Sequence, residues 1–348
     1  MPALKRLLVA PVLAALIVGS ATAASTSPIP APVATGSLTT FDDAFKQLLI
    51  ADASIEKLAE GFTWSEGPTW VGDGNYLLFN DVPQNTMYSW SEQDGLSVFL
   101  KPSGYDGPDD GTLREGGANG LHADANGKVL LADSGTRVVA RLDPRTKQKT
   151  TLASHFQGKR FNSPNDVIQR SDGVVFFTDP PYGLKDMNDS PVKELAFNGV
   201  YRLDTDGSVH LLDDSLSLPN GIALSPDERT LYVANSDQAK PIWMAYTLDA
   251  RGQVIDKRVF ADATDLMGEG IHGLPDGIAI STDGKLFATG PGGVLVFDPT
   301  GKRLGRIETG SAVANVSFGG EDGKTLYMTS HNFLARLRLN AQGLGFTR

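Results

Sequence analysis

Residues 165–179 read NDVIQRSDGVVFFTD. A polar pair opens a short alternating run, Ser-Asp-Gly supplies a turn, and a second apolar run ends in Asp. Alternation on either side of a tight turn predicts a β-hairpin. Working outward, the same pattern returns five more times. The copies are SEGPTWVGDGNYLLFND (65–81), NGLHADANGKVLLAD (119–133), NGIALSPDERTLYVAN (220–235), DGIAISTDGKLFATG (276–290) and ANVSFGGEDGKTLYMT (314–329). Counted from the residue before each first strand (66, 119, 165, 220, 276 and 314), the spacings are 53, 46, 55, 56 and 38. Further strand-like runs lie between the hairpins: VVARLD (138–143), GVYRLD (199–204) and GVLVFD (293–298). Two to four short strands per unit of about 50 residues is the pattern of a propeller blade. The sequence therefore predicts an all-β chain, a six-bladed β-propeller over residues 41–348. A β-sandwich is the competing all-β reading, but sandwiches seldom repeat one motif six times.

Composition agrees. Of 348 residues, 41% are hydrophobic, enough for a sizeable core. The 38 glycines and 20 prolines make a turn-rich chain. The formal charge of −10 argues against nucleic-acid binding through phosphate contacts. Cysteine is absent, which excludes disulfides, thiolate nucleophiles and Cys-held zinc or iron–sulfur centres.

Lys5 and Arg6 precede an almost wholly apolar stretch, Leu7 to Val18, and Ala21-Thr22-Ala23 offers a small-residue cleavage site. This reads as a signal peptide over 1–23, too short to span a bilayer comfortably. The mature protein is expected in the periplasm or secreted, without stable membrane insertion. A Ser/Pro/Ala/Thr-rich linker follows over 24–40. One short amphipathic helix is expected between Thr40 and Glu60, with Phe41, Phe45, Leu48 and Leu49 on one face. Residues before Gly61 are candidates for completing the last blade.

The residues just before the six first strands are Glu66, Asn119, Asn165, Asn220, Asp276 and Ala314. In a propeller the innermost strands surround a central channel, so these positions form a ring. Five of the six offer carboxylate or amide oxygens. Such a set suits a hard cation; Ca²⁺ takes six to eight oxygen ligands. Asn-Gly and Asp-Gly are also ordinary turn dipeptides; it is their recurrence at equivalent positions that favours a site. The second strands end at Asp81, Asp133, Asp179, Asn235, Gly290 and Thr329. These are expected to support the ring or form the pocket rim.

The motifs SEGPTW, FNSPNDV, FFTDPPYGL, LPNGIALSPD, LPDGIAI and FGGEDGKTLY resemble the gluconolactonase branch of the gluconolactonase–regucalcin (senescence marker protein) family. The likeness runs from about Phe62 to Arg336. It implies a six-bladed propeller, one divalent cation in the channel and hydrolysis of a sugar lactone, glucono-1,5-lactone first. Ca²⁺ is the expected ion, with Mg²⁺, Mn²⁺ or Zn²⁺ as alternatives. The ligands implied are Glu66, Asn165, Asn220 and Asp276. Asn119 is then a pocket residue that meets substrate. The resemblance favours Asp276 as catalytic base or water-positioning group, with Glu66 second. Both are restrained as metal ligands, which lowers their basicity. Arg160, in KRFNSPND, falls where family members place an arginine that meets the substrate. Tyr182, in the rim run Asp179–Gly183, could cover the sugar.

Of the five histidines, His122, His155, His210, His272 and His331, none shows a metal spacing; His272 and His331 fall nearest the expected rim. No GxSxG elbow, phosphate loop or dinucleotide fingerprint is present. The long connections 102–117 and 185–198 are expected on the active face, selecting the substrate. Alternative readings keep the fold and metal but take another lactone or a phosphoester, or make the chain a non-catalytic sugar- or partner-binding propeller. The sequence carries no signal for an oligomeric state.

Overall fold

A computed structural model describes residues 31–346 apart from 125. The expected signal peptide and the first part of the expected linker lie outside the described residues. Among the described residues no helix is long and apolar enough to cross a membrane.

Among the described residues six antiparallel sheets of four or five strands follow one another along the chain, with one further two-stranded sheet, His155–Phe156 with Lys159–Arg160. Their innermost strands are Ser65–Val71, Leu121–Ala123, Val167–Gln169, Pro219–Leu224, Ile278–Ile280 and Asn315–Gly319. Each of these strands lies beside the next, and the sixth returns to the first, closing a ring. The six larger sheets are blades 1 to 6 of a propeller, in chain order. Each blade opens with one of the six hairpins. In blade 3, for example, Val167–Gln169 pairs with Val175–Asp179, which pairs with Gly199–Leu203.

Blades 5 and 6 gain strands from the N-terminal side. Ile55–Glu60 pairs with Phe333–Arg338, and Val33–Thr35 pairs with Ile55–Glu60. Ser37–Thr40 pairs with Arg303–Glu308 in blade 5. The end of the stretch read as a linker is thus β-structure. A Ser/Thr-rich run has little apolar alternation to announce a strand, yet it covers an edge that would otherwise stay open. The expected helix is Asp43–Leu48, capped by Asp42, whose Oδ1 accepts from the Ala44 N–H at 2.9 Å. It buries Phe45 and Leu48 but leaves Phe41 exposed.

The core is divided. Among the described residues six apolar clusters form, one between each pair of neighbouring blades. Trp70 of blade 1 stacks on Tyr327 of blade 6 with centroids 5.5 Å apart. Trp243 of blade 4 packs edge-on to Phe297 of blade 5 at 5.2 Å. Each large side chain buried this way contributes roughly 1.5–3 kcal/mol. Apolar faces are consumed between blades, so the axial channel is left to the polar residues at the inner-strand starts.

Candidate active site

A cavity of about 680 Å³ opens at one end of the channel. Its floor carries Glu66, Asn119, Asn165, Asn220 and Asp276, all five of the polar ring positions. Glu66, Asn119, Asn165 and Asn220 are no more than 4% exposed; Asp276 is half-buried, with its Oδ1 enclosed.

The backbone fixes them from blade to blade. The Asn80 amide donates to the Asn119 carbonyl at 2.7 Å. Thr178 Oγ1 donates to the Asn220 carbonyl at 2.7 Å, and Thr289 Oγ1 to the Ala314 carbonyl at 3.1 Å. The Gly120 N–H donates to the Asn165 carbonyl at 2.7 Å. Neighbouring inner strands approach so closely that only glycine fits after Glu66. Gly67 has φ +53°, and a Cβ there would lie 2.0 Å from the Asn119 carbonyl oxygen. The Glu-Gly, Asn-Gly and Asp-Gly pairs therefore do more than make turns. They let ring residues of adjacent blades converge.

With carbonyls tied down, the side-chain oxygens point free. Asn119 Oδ1, Asn220 Oδ1 and Asp276 Oδ1 are buried with no hydrogen-bond partner. Native proteins leave few buried acceptors unpaired, so this cluster calls for a ligand. Glu66 is partly tied: Trp64 Nε1 donates to Oε1 at 3.3 Å and the Gly67 N–H to Oε2 at 3.1 Å. Burial, and then the Glu66 carboxylate, push Asp276 well above the usual carboxylate range. Burial likewise raises Glu66, with the Asp166 and Glu115 charges adding to it. Among the described residues Arg114 is the only Lys or Arg on the cavity wall, and it is paired to Glu115. Two ring carboxylates with unpaired amide oxygens around them, and among the described residues no unpaired Lys or Arg on the wall, match the donor chemistry of a hard divalent ion. Glu66, Asn165, Asn220 and Asp276 could hold it.

Tyr182 lines the cavity. Its hydroxyl lies beside Ser236 and Asn220, and burial pushes its pKa up, so it stays a neutral donor. His272 also lines the wall. His331 instead packs beside the Trp64 ring with centroids 5.4 Å apart. Arg160 is not on the cavity wall. It ends the short hairpin strand Lys159–Arg160, and its guanidinium donates to the Thr136 carbonyl at 2.9 Å. The cavity's arginine is Arg114, from the 102–117 connection. Sequence reading passed over Arg114 and Glu115 because neither belongs to the repeat; only the length of their loop signalled a role. The apolar wall at Met267, Ile271 and Leu274 was also unforeseen. It lies on the connection into blade 5 just before Asp276.

The second-strand ends do not reach the cavity. Asp81 accepts from the Thr63 N–H at 2.8 Å, and Asp179 from the Asn162 N–H at 2.8 Å. Asn235 accepts from the Leu218 N–H at 3.0 Å. They hold the loops that lead into the inner strands.

Comparison with known proteins places the chain. Residues 64–332 match the family described as the SMP-30/Gluconolactonase/LRE-like region. A gluconolactonase of Zymomonas mobilis is 43% identical over 94% of this chain and 93% of its own length. A solved gluconolactonase from Xanthomonas campestris superposes with a TM-score of 0.76 at 32% identity, covering 90% of this chain and 99% of that one. A calcium-binding regucalcin of Agrobacterium tumefaciens shares the fold at 20% identity, with a TM-score of 0.65 over 90% of this chain and 97% of that one. The chain belongs to the SMP-30/gluconolactonase/LRE-like family.

Proposed function

We propose that the protein is an exported, divalent-metal-dependent hydrolase that opens a sugar lactone, converting glucono-1,5-lactone to gluconate. Lactone hydrolysis is supported by family membership and by the gluconolactonase relatives. The observation that carries the metal is the convergence of unpartnered oxygens from Asn119, Asn220 and Asp276 beside the Glu66 carboxylate. Export rests on the N-terminal pattern at residues 1–23.

Glu66, Asn165, Asn220 and Asp276 would hold the ion, Ca²⁺ first. When bound, a divalent cation polarises a carbonyl and lowers the pKa of water. The chain's own residues then have separate tasks. Asp276 accepts the proton of the water that attacks the lactone carbonyl carbon. The ring C–O bond breaks, the leaving oxygen takes up a proton, and water has been added across the ester. Asn119 offers its free Oδ1 to substrate, and Tyr182 offers a neutral hydroxyl. Met267, Ile271 and Leu274 give the cavity an apolar side.

The test is hydrolysis of glucono-1,5-lactone by the purified protein in a pH-stat, with spontaneous opening subtracted. Activity should vanish with EDTA and return with Ca²⁺. Failure to hydrolyse it with any of Ca²⁺, Mg²⁺, Mn²⁺ or Zn²⁺ present would overturn the reading.

A further inference from the structure

The cavity holds a carboxylate that stands outside the ring. Glu115 is 9% exposed and belongs to the connection between blades 1 and 2. Its charge acts on both Glu66 and Asp276, so it looks across the same cavity. Arg114 Nε donates to Glu115 Oε1 at 3.1 Å, and Arg114 Nη2 donates to the same oxygen. Among the described residues Glu115 Oε2 accepts no hydrogen bond, and it is not one of the fully enclosed unpaired atoms, so it keeps some accessible surface. One oxygen is thus spent on orientation and the other is left free, on a residue that lines the cavity.

The loop is locked as firmly as a strand. The Arg114 N–H donates to the Gly183 carbonyl at 2.9 Å, next to Tyr182. The Gly117 N–H donates to the Val82 carbonyl at 3.0 Å, and the Gly135 N–H to the Gly117 carbonyl at 3.1 Å. Three chain segments are layered here with no room between them. A Cβ on Gly135 would lie 1.9 Å from the Gly116 carbonyl oxygen. Glu115 is therefore held in place before any ligand arrives, as a specificity group must be.

We infer that Glu115 is a specificity-determining residue that accepts hydrogen bonds from substrate hydroxyls through Oε2, so that the site selects polyhydroxylated, uncharged lactones. This rests on the lactonase reading. The argument is one of elimination by chemistry. A carboxylate fixed by Arg114 is a strong acceptor and cannot donate while ionised. A lactone carbonyl and ring oxygen are acceptors only and gain nothing from it. The donors in such a substrate are its hydroxyls. The same negative charge, beside Glu66 and Asp276, disfavours lactones bearing a phosphate or carboxylate.

The test separates binding from turnover. Binding of D-glucono-1,5-lactam, a non-hydrolysed analogue, is measured by titration calorimetry and compared with δ-valerolactam, which lacks hydroxyls. Turnover of glucono-1,5-lactone is compared with that of δ-valerolactone. Glu115→Ala should weaken the hydroxylated lactam about 10- to 100-fold, the range of a hydrogen bond to a charged group. The same factor should appear in KM for gluconolactone, with kcat and the δ-valerolactone rate changed less than about threefold. Glu115→Gln keeps the shape and one acceptor, so it should recover part of the loss; it serves also if the alanine variant folds poorly. Equal loss on both lactones, carried in kcat, would overturn the inference by making Glu115 a proton acceptor or a structural prop. No change in lactam affinity would overturn it too, as would a wild-type protein that binds neither lactam. Wild type that binds the hydroxylated lactam through Glu115 but hydrolyses no lactone would sink the lactonase reading alone.

Discussion

Two rings of polar residues recur at equivalent positions, in five blades and in four, and they have opposite fates. The first stands at the starts of the inner strands: Glu66, Asn119, Asn165, Asn220 and Asp276. The second stands at the ends of the next strands, at Asp81, Asp133, Asp179 and Asn235. Both are rich in carboxylates and amides, and all their members are buried except the half-buried Asp276. In the second ring the oxygens are spent on backbone N–H groups of the incoming loops, or on Lys149, which meets Asp133 at 2.9 Å. Asp179 keeps one unpaired oxygen, but the Arg137 and Lys193 charges act on it. In the first ring it is the main chain that is satisfied, and Asn119, Asn220 and Asp276 keep free side-chain oxygens with no unpaired Lys or Arg beside them. Repetition of a polar residue does not make a site. A site arises where those atoms are left over.

The largest effect expected from this contrast is on turnover. Asp276→Asn should lower kcat by at least roughly 10²–10⁴-fold, the range of a lost general base, because it also removes a ligand of the ion, with a melting temperature no lower than wild type in EDTA. Full activity would break the contrast at its central residue. In the other ring the expected loss is of stability. Asp179→Ala strands the Asn162 N–H and should cost roughly 1–3 kcal/mol in urea denaturation, with kcat within about threefold for folded protein.

Asp179 also sharpens the contrast through pH. Burial raises it from 3.8 to about 7. A carboxyl with a folded pKa above its unfolded value favours folding when protonated. Its contribution is present near pH 4 and fades as pH rises towards 7. Wild type should therefore lose more stability between pH 4 and 7 than Asp179→Asn, whose amide does not titrate. Parallel pH–stability curves would show that Asp179 does not titrate in this interval. The smallest effect belongs to Arg160→Ala. Its guanidinium serves the Thr136 carbonyl rather than the cavity, so kcat/KM should change less than about threefold.

The propeller was legible because each hairpin carries its own alternation and turn, and six copies at near-regular spacing leave little else to build. The first ring was legible for the same reason: equivalent positions in a closed repeat must meet at the axis. What escaped was whatever the repeat does not encode. Whether Asp81 or Asp179 faces a cavity or a backbone N–H depends on the path of the loop before the next strand. Arg114 and Glu115 reach the cavity because Gly116, Gly117 and Gly135 allow three segments to stack, a tertiary fit with no local pattern. Arg160 looked equivalent to a substrate-facing arginine, but the hairpin His155–Phe156 with Lys159–Arg160 turns it outward to Thr136. The strand at Val33–Thr35 has no apolar period of its own and follows from the open edge beside it.

The claim on which the account turns is that the first ring holds a cation and the second does not. Ca²⁺ titration of the EDTA-stripped protein, followed by calorimetry, tests it most directly. One ion per chain is expected for wild type and for Asp179→Asn, with binding abolished in Glu66→Gln and in Asp276→Asn. Binding that survives both first-ring substitutions, or none at all with Ca²⁺, Mg²⁺, Mn²⁺ or Zn²⁺, would contradict it.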